Sequence, residues 1–371
     1  MKNKPRILII GPYPPVRGGI SEFNYNTYKY LKEISTVFVL SIKKSYPSLL
    51  FPGKSQFYKS KNNLENFENF NIYNPIEFRK VFRTIREKQI NTIITTHWNP
   101  LVSFLFAIIN RLNKKSIKII GVIHNVLPHE RFPLDYLMLK FYLKSLDTMI
   151  TLSKNSTNSL YKICYKKAII KQLYHPIENK KKLNREKSLK ILNLDPKNQY
   201  LLHFGLVRKY KGLDLLIESM TELIKTNKNL ILLIVGEFYS NKEKYLKQIT
   251  RLKLEKNIKI VDEYVEGNMI DQWFSIADLV IQPNIISSQS GVTALSISFE
   301  KKIVTTGTGG IGEVINSKNG YICESNVDSM SKTINYALRD KNFNFDKLKE
   351  LKDKFNWNSF AKKIMSFINE I

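Results

Sequence analysis

Short apolar runs, each closed by glycine, proline or a polar turn, alternate along this chain with longer stretches in which apolar residues recur at helical spacing. A parallel strand needs a crossover of roughly a dozen residues before its neighbour can begin, and that crossover is usually a helix. The alternation therefore predicts βαβ units and an α/β fold on parallel sheets. In the first half, strands are expected at 6–10, 36–41, 92–96, 117–123 and 148–152, with helices such as 21–32 and 75–87 between them. In the second half they are expected at 200–204, 230–235, 258–261, 279–282, 303–306 and 321–323. The stretch 176–198 is polar, lysine-rich and carries a proline near each end, as a connection between two sheets would.

With 371 residues, 43% of them hydrophobic and 25% charged, the chain has material for two cores of ordinary size and is not compositionally disordered. Two cysteines, Cys164 and Cys323, outside any Cys/His cluster, argue against a disulfide framework and a structural zinc site. The longest apolar run, 101–110, falls short of the roughly 20 residues of a membrane-spanning helix. The apolar stretch 7–10 is too short for a signal-peptide core and reads as a buried first strand, so a cytoplasmic protein is expected. Lys plus Arg (59) exceed Asp plus Glu (32) by 27. That excess favours an anionic partner, or reflects a lysine-rich compositional bias. No basic module interleaved with aromatics appears, so nucleic acid is not an expected partner.

Two loops carry chemistry. The first strand runs into GPYPPVRGGI (11–20), which places Gly18 and Gly19 at the start of a helix whose inward positions are Ile20, Phe23, Thr27 and Leu31. Glycines there let a phosphate approach the unpaired amides and the positive end of the helix dipole, or else serve a turn that needs left-handed residues. The second half opens with LLHFGLVRKYKGLD (201–214): a strand, Gly205, then Arg208, Lys209, Lys211 and Gly212, and a helix at 213–223. A planar guanidinium and a compact ammonium beside a helix start suit a diphosphate, and ligands of open α/β sheets bind at the carboxyl ends of strands. A solvated basic loop is the alternative.

These loops, in this order, resemble the retaining, nucleotide-sugar-dependent glycosyltransferases of family 4. The resemblance rests on PPVRGGISEF (14–23), HNVLPHE (124–130), HPI (175–177), FGLVRKYKGLDLLI (204–217), LLIVGEFY (232–239) and ADLVIQPNIISSQSGVTALS (277–296). It implies the GT-B fold, with two Rossmann-like domains facing across a cleft: an acceptor-side domain at 1–178, a nucleotide-sugar domain at 179–354, and a C-terminal helix at 355–371 returning to the first domain. It also implies transfer of a sugar from a nucleoside-diphosphate donor to an acceptor hydroxyl with retention, no cofactor and no bound metal. The donor loop falls on Gly18 and Gly19, and the phosphate-binding cations on Arg208 and Lys211, with Gly205 and Glu237 in the same donor site. His124, at the end of the strand 117–123, corresponds to the histidine near the transferred sugar; a buried histidine satisfied by backbone is the other reading.

The family's two glutamates are missing. Matched on Gly291, their positions hold Ser288 and Ser296, which accept or donate hydrogen bonds but carry no charge. The SSQSG loop (287–291) is similar to that of one sublineage of cell-surface polysaccharide transferases, and Ser288, Gln289, Ser290, Gly291 and Ser296 are expected in the donor site, holding sugar, phosphate or ribose. Gly309, Gly310 and Glu313 fit the family's glycine pair and following acid, and Phe360, Ile364 and Phe367 share one face of the C-terminal helix. The activity expected is that of a hexosyltransferase in cell-surface polysaccharide or glycolipid assembly, with a sugar or lipid-linked sugar as acceptor. Two alternatives are a non-catalytic nucleotide-sugar-binding module and a nucleotide-sugar 2-epimerase. Lys43, Lys44, Lys54, Lys59 and Lys61 would suit an anionic membrane at the inner face of the cell.

Overall fold

The computed structural model describes residues 5–47, 51, 53–58, 65–113, 117–128, 132–164 and 168–370. It divides into two units, 1–175 with 357–371, and 176–356, against expected divisions after 178 and 354.

The first unit runs β1 (Arg6–Gly11), α1 (Gly19–Lys32), β2 (Thr36–Ile42), β3 (Asn69–Phe70), α2 (Phe78–Glu87), β4 (Thr92–His97), α3 (Pro100–Leu112), β5 (Lys118–Ile123), α4 (Asp135–Leu143), β6 (Thr148–Thr151), α5 (Lys154–Ile163) and β7 (Ile169–Gln172). Among the described residues its sheet has seven parallel strands in the order β3-β2-β1-β4-β5-β6-β7. Consecutive residues of β1 feed opposite faces: Ile7 and Ile9 join one buried cluster, Leu8 and Ile10 another. That two-sided burial explains why the strand reads as an unbroken apolar run.

The second unit runs α6 (Arg185–Ile191), β8 (Gln199–Phe204), α7 (Leu213–Thr226), β9 (Leu230–Val235), α8 (Lys242–Arg251), β10 (Ile258–Val261), α9 (Asn268–Ile276), β11 (Leu279–Gln282), α10 (Gly291–Ser298), β12 (Ile303–Thr305), α11 (Gly309–Val314), β13 (Tyr321–Ile322), α12 (Val327–Arg339) and α13 (Asp346–Lys354). Its described strands are also parallel, in the order β10-β9-β8-β11-β12-β13. Leu201, Leu232 and Ile234 pack on one face with α7; Leu202, Leu233 and Val235 pack on the other with Trp273 and Phe274. In each sheet the winding reverses beside the first strand, between β1 and β4 and between β8 and β11, where doubly wound sheets open a crevice.

Strands β3 and β7 were not anticipated, because two to four residues of edge strand carry no period of their own. The polar stretch 176–198 connects the last strand of the first sheet to the first strand of the second. It docks on its own unit through Lys180 Nζ to Asp271 (2.9 Å), the Leu183 amide to Ser275 Oγ (2.9 Å) and Arg185 to Asp278 (3.0 Å), and part of it is α6, with Leu189 buried. The C-terminal helix α14 (Trp357–Glu370) buries Trp357, Phe360, Ala361, Ile364 and Ile368 in the first unit, and half-buried Phe367 packs against the same cluster as Phe360 and Ile364.

Candidate functional site

In the second unit the loops after β8, β9 and β11 are tied to one another. The Val207 amide donates to the Glu237 carbonyl (2.9 Å), the Tyr239 amide to the Val207 carbonyl (3.0 Å) and the Ile285 amide to the Tyr210 carbonyl (2.8 Å). Glycines permit the close approaches. Gly205 and Gly212 have φ of 93° and 67°; a β-carbon on Gly212 would lie 2.1 Å from the Pro283 carbonyl oxygen. One on Gly236 would lie 2.1 Å from the Gly205 carbonyl oxygen, and one on Gly309 only 1.7 Å from that of Ser287. The glycine at 309 thus seats the carbonyl that opens the SSQSG loop.

This frame holds the predicted cations. Lys211 extends back over Gly205, 3.2 Å from where a β-carbon would stand, beside Val292 in the first turn of α10. Burial and then the neighbouring Arg208 charge lower its pKa to about 8. The Arg208 guanidinium stacks over the Tyr239 ring at 5.0 Å. Buried His203, on β8, has its pKa lowered to about 3 by burial and by the charge of Lys211, so it stays neutral at physiological pH. Glu237 is buried at the end of β9.

Ser290 caps α10, its hydroxyl accepting from the Thr293 amide (3.2 Å). Sequence reasoning missed the residue behind it. Gln282, the last residue of β11, accepts through Oε1 from both Ser290 Oγ (2.9 Å) and Thr293 Oγ1 (3.1 Å). Its Nε2 is buried with no hydrogen-bond partner among the described residues. A glutamine at the carboxyl end of a central strand was the available signal. A β-carbon on Gly291 would meet no atom within 4 Å, so space lies open before α10. Ser288 and Gln289 are half-buried in the same loop. Ser296 is not brought there: it is fully buried, and its hydroxyl donates to the Val292 carbonyl one helical turn back (2.8 Å). Eight residues after Ser288, a helix has turned the side chain into the core, which corrects its expected place at the donor.

In the first unit, Gly18 has a φ of 122° and precedes α1, and a β-carbon on either Gly18 or Gly19 would meet no atom within 4 Å. Beside that helix start, Asn24 fixes the loop by donating to the Pro12 carbonyl (3.1 Å) and accepting from Thr96 Oγ1 (2.6 Å). His124, one residue past β5, is buried with its ring edge-on to Phe23 at 4.5 Å. Neither ring nitrogen has a hydrogen-bond partner among the described residues, so backbone does not satisfy the ring. Burial, then the charges His175 and His97 would carry, hold its pKa well below 6.5. His129 and Glu130 of the HNVLPHE segment, and Lys59 and Lys61, lie outside the described residues. Among the described residues no group of three or more His, Cys, Asp or Glu is placed to hold a metal ion. No helix among them is long and apolar enough to cross a membrane.

The chain is 29% identical over 186 residues to the lipopolysaccharide 1,2-N-acetylglucosaminetransferase of Salmonella typhimurium, covering 46% of this chain and 48% of that protein. It is 24% identical over 164 residues to Protein CapJ of Staphylococcus aureus, covering 43% and 41%. The aligned part thus spans about half the length of the curated relatives it matches. Among solved structures, Anabaena Alr3699/HepE in complex with UDP and glucose superposes with a TM-score of 0.79 at 16% identity, covering 99% of this chain and 100% of that one. The chain has the GT-B fold, and its residues 184–359, nearly the whole second unit, match the model of the Glycosyl transferases group 1.

Proposed function

We propose that this protein is a retaining glycosyltransferase that moves a hexosyl group from a nucleoside-diphosphate sugar to an acceptor hydroxyl, at the cytoplasmic side of cell-surface polysaccharide or glycolipid assembly. The observation that carries the reading is the convergence of Lys211, Arg208 and the open start of α10 on the loop at Gly205. A uridine diphosphate sugar is the first donor to try, since HepE was solved with UDP and glucose.

In this reading the diphosphate lies along the Gly205–Gly212 loop. As the bond from the anomeric carbon to the β-phosphate oxygen breaks, Lys211 and Arg208 neutralise the charge that develops on the leaving group. The acceptor oxygen bonds to the anomeric carbon from the same face, and the leaving phosphate oxygen takes the acceptor's proton. Glu237, Ser288, Gln289, Ser290 and Gly291 complete the donor site. Gly18 and Gly19 of the first unit offer an open backbone turn to a phosphate, and a neutral His124 serves as a hydrogen-bonding group rather than a charge.

A nucleotide-sugar-binding module without transfer is the second reading. It is favoured by one observation: the family's two carboxylate positions hold serines, and the Ser296 hydroxyl is spent on Val292. Thermal stabilisation by a panel of nucleoside diphosphates and nucleotide sugars, wild type against Arg208→Ala, tests both. A selective shift lost in the variant supports the donor site, and turnover with an acceptor panel then separates transfer from binding alone. No shift with any nucleotide would overturn both readings.

A further inference from the structure

The last two side chains of β4 face opposite ways, and each holds a different loop. Thr96 Oγ1 donates to Asn24, whose amide in turn donates to the Pro12 carbonyl of the loop before α1. His97 is buried on the other face and meets the loop after β5, where His124 stands. The His97 carbonyl accepts from the His124 amide (3.0 Å), and its ring Nε2 lies 3.4 Å from the Val126 carbonyl oxygen.

Neighbours decide both the protonation and the plane of this ring. A carbonyl oxygen only accepts, so Nε2 carries the proton and Nδ1 is bare. Ser103 Oγ of α3, 2.6 Å from Nδ1, therefore donates to it. The ring stacks on Tyr142 of α4, with centroids 5.6 Å apart and planes at 25°. The Tyr142 hydroxyl is bonded to Thr95 Oγ1 (2.8 Å), two residues before His97 on the same face of β4. Burial lowers the His97 pKa to about 4, so the ring is neutral at physiological pH and holds a single proton.

We propose that His97 is a positioning residue: as the Nε2–H tautomer, braced by Ser103 and Tyr142, it holds the Val126 carbonyl and thereby sets the place of the His124 ring. The inference rests on the reading of His124 as a hydrogen-bonding group in sugar transfer. Geometry of this kind matters to rate, since misplacing a reacting group by about 1 Å costs about a hundredfold.

Long-range nitrogen–proton spectra of the imidazoles in the full-length protein at neutral pH test it first. His97 is expected as the Nε2–H tautomer; an Nδ1–H ring would overturn the proposal. His97→Phe keeps the stack on Tyr142 and removes both ring hydrogen bonds. Its kcat for transfer should fall at least about tenfold while nucleoside diphosphate affinity stays within about twofold, because the phosphate cations stand in the other unit. His97→Gln, which returns a donor near the Nε2 place, should regain most of the rate. His124 should begin to titrate near 6.5 in His97→Phe and stay neutral there in His97→Gln. A merely structural His97 would move the melting temperature and not that titration, so an unchanged His124 in His97→Phe would overturn the proposal. Ser103→Ala, which removes only the partner of Nδ1, replaces His97→Phe should the latter not fold. It is expected to mix the His97 tautomers, and an unmixed spectrum would likewise overturn the proposal. A wild type that transfers no sugar would overturn the transfer reading alone, and the spectra would still decide whether His97 sets His124.

Discussion

The side-chain nitrogen of Lys211 lies over Gly205, 3.2 Å from where a β-carbon would stand. Residues six apart in sequence are brought together because Gly205 has a φ of 93° and the intervening loop turns back on itself. The cation is thereby desolvated before any ligand arrives, which makes its protonation a property of the fold.

For Lys211 the sign follows from its lowered pKa of about 8, against an ordinary value of 10.5. Between those values the unfolded chain holds more protons than the folded one, so stability rises with pH across that window, and below it the cost of the buried charge is present in full. Lys211→Met is expected to raise stability at neutral pH while abolishing diphosphate binding. Wild-type affinity for a nucleoside diphosphate should fall as pH rises past about 8, whereas Lys211→Arg, always charged, should show a flat profile. Calorimetric titration across that range checks both; a pH-independent wild type would remove Lys211 from the site.

At Gly212 the constraint is backbone against backbone. A β-carbon would sit 2.1 Å from the Pro283 carbonyl oxygen, at a φ of 67°. Gly212→Ala should cost at least about 2 kcal/mol and lower the melting temperature by roughly 4–8 °C. Differential scanning calorimetry reads this directly, and an unchanged melt would mean that the loops at 205–212 and 283–291 do not pack as described.

Gln282→Leu would leave the Ser290 and Thr293 hydroxyls without their shared acceptor. The expected cost is about 1–3 kcal/mol in urea unfolding. Donor affinity should fall with it, because the Ser290 cap sets the start of α10. Full donor affinity in a measurably destabilised variant would show that the loop before α10 does not contact the donor.

Three buried histidines predict acid sensitivity. His124 is held well below 6.5, His97 is lowered to about 4 and His203 to about 3, in each case chiefly by burial. As pH falls below 6.5 the unfolded chain takes up protons that the folded chain refuses, so unfolding free energy should drop steadily from there toward pH 4. His124→Gln should flatten that dependence by up to about 1.4 kcal/mol per pH unit. Urea titrations at several pH values make the measurement, and parallel slopes for wild type and variant would contradict a neutral His124.

The alternation of apolar runs with helical segments determined the α/β class and the central strands. A strand buried on both faces, such as β1 with Ile7 and Ile9 on one side and Leu8 and Ile10 on the other, writes its burial into consecutive residues. The glycine-led basic loop at 205–212 was legible for the same reason, since residue types and order are local. Edge strands β3 and β7 were not, because their pairing depends on neighbours rather than on any period of their own. Tertiary structure alone decided that Gly212 rests on Pro283, that Gly309 receives the Ser287 carbonyl, and that Gln282 holds Ser290 and Thr293. It also turned Ser296 inward and seated 176–198 against its own unit. Each of these is an approach between residues distant in the chain, governed by excluded volume and by the need of buried polar groups for partners.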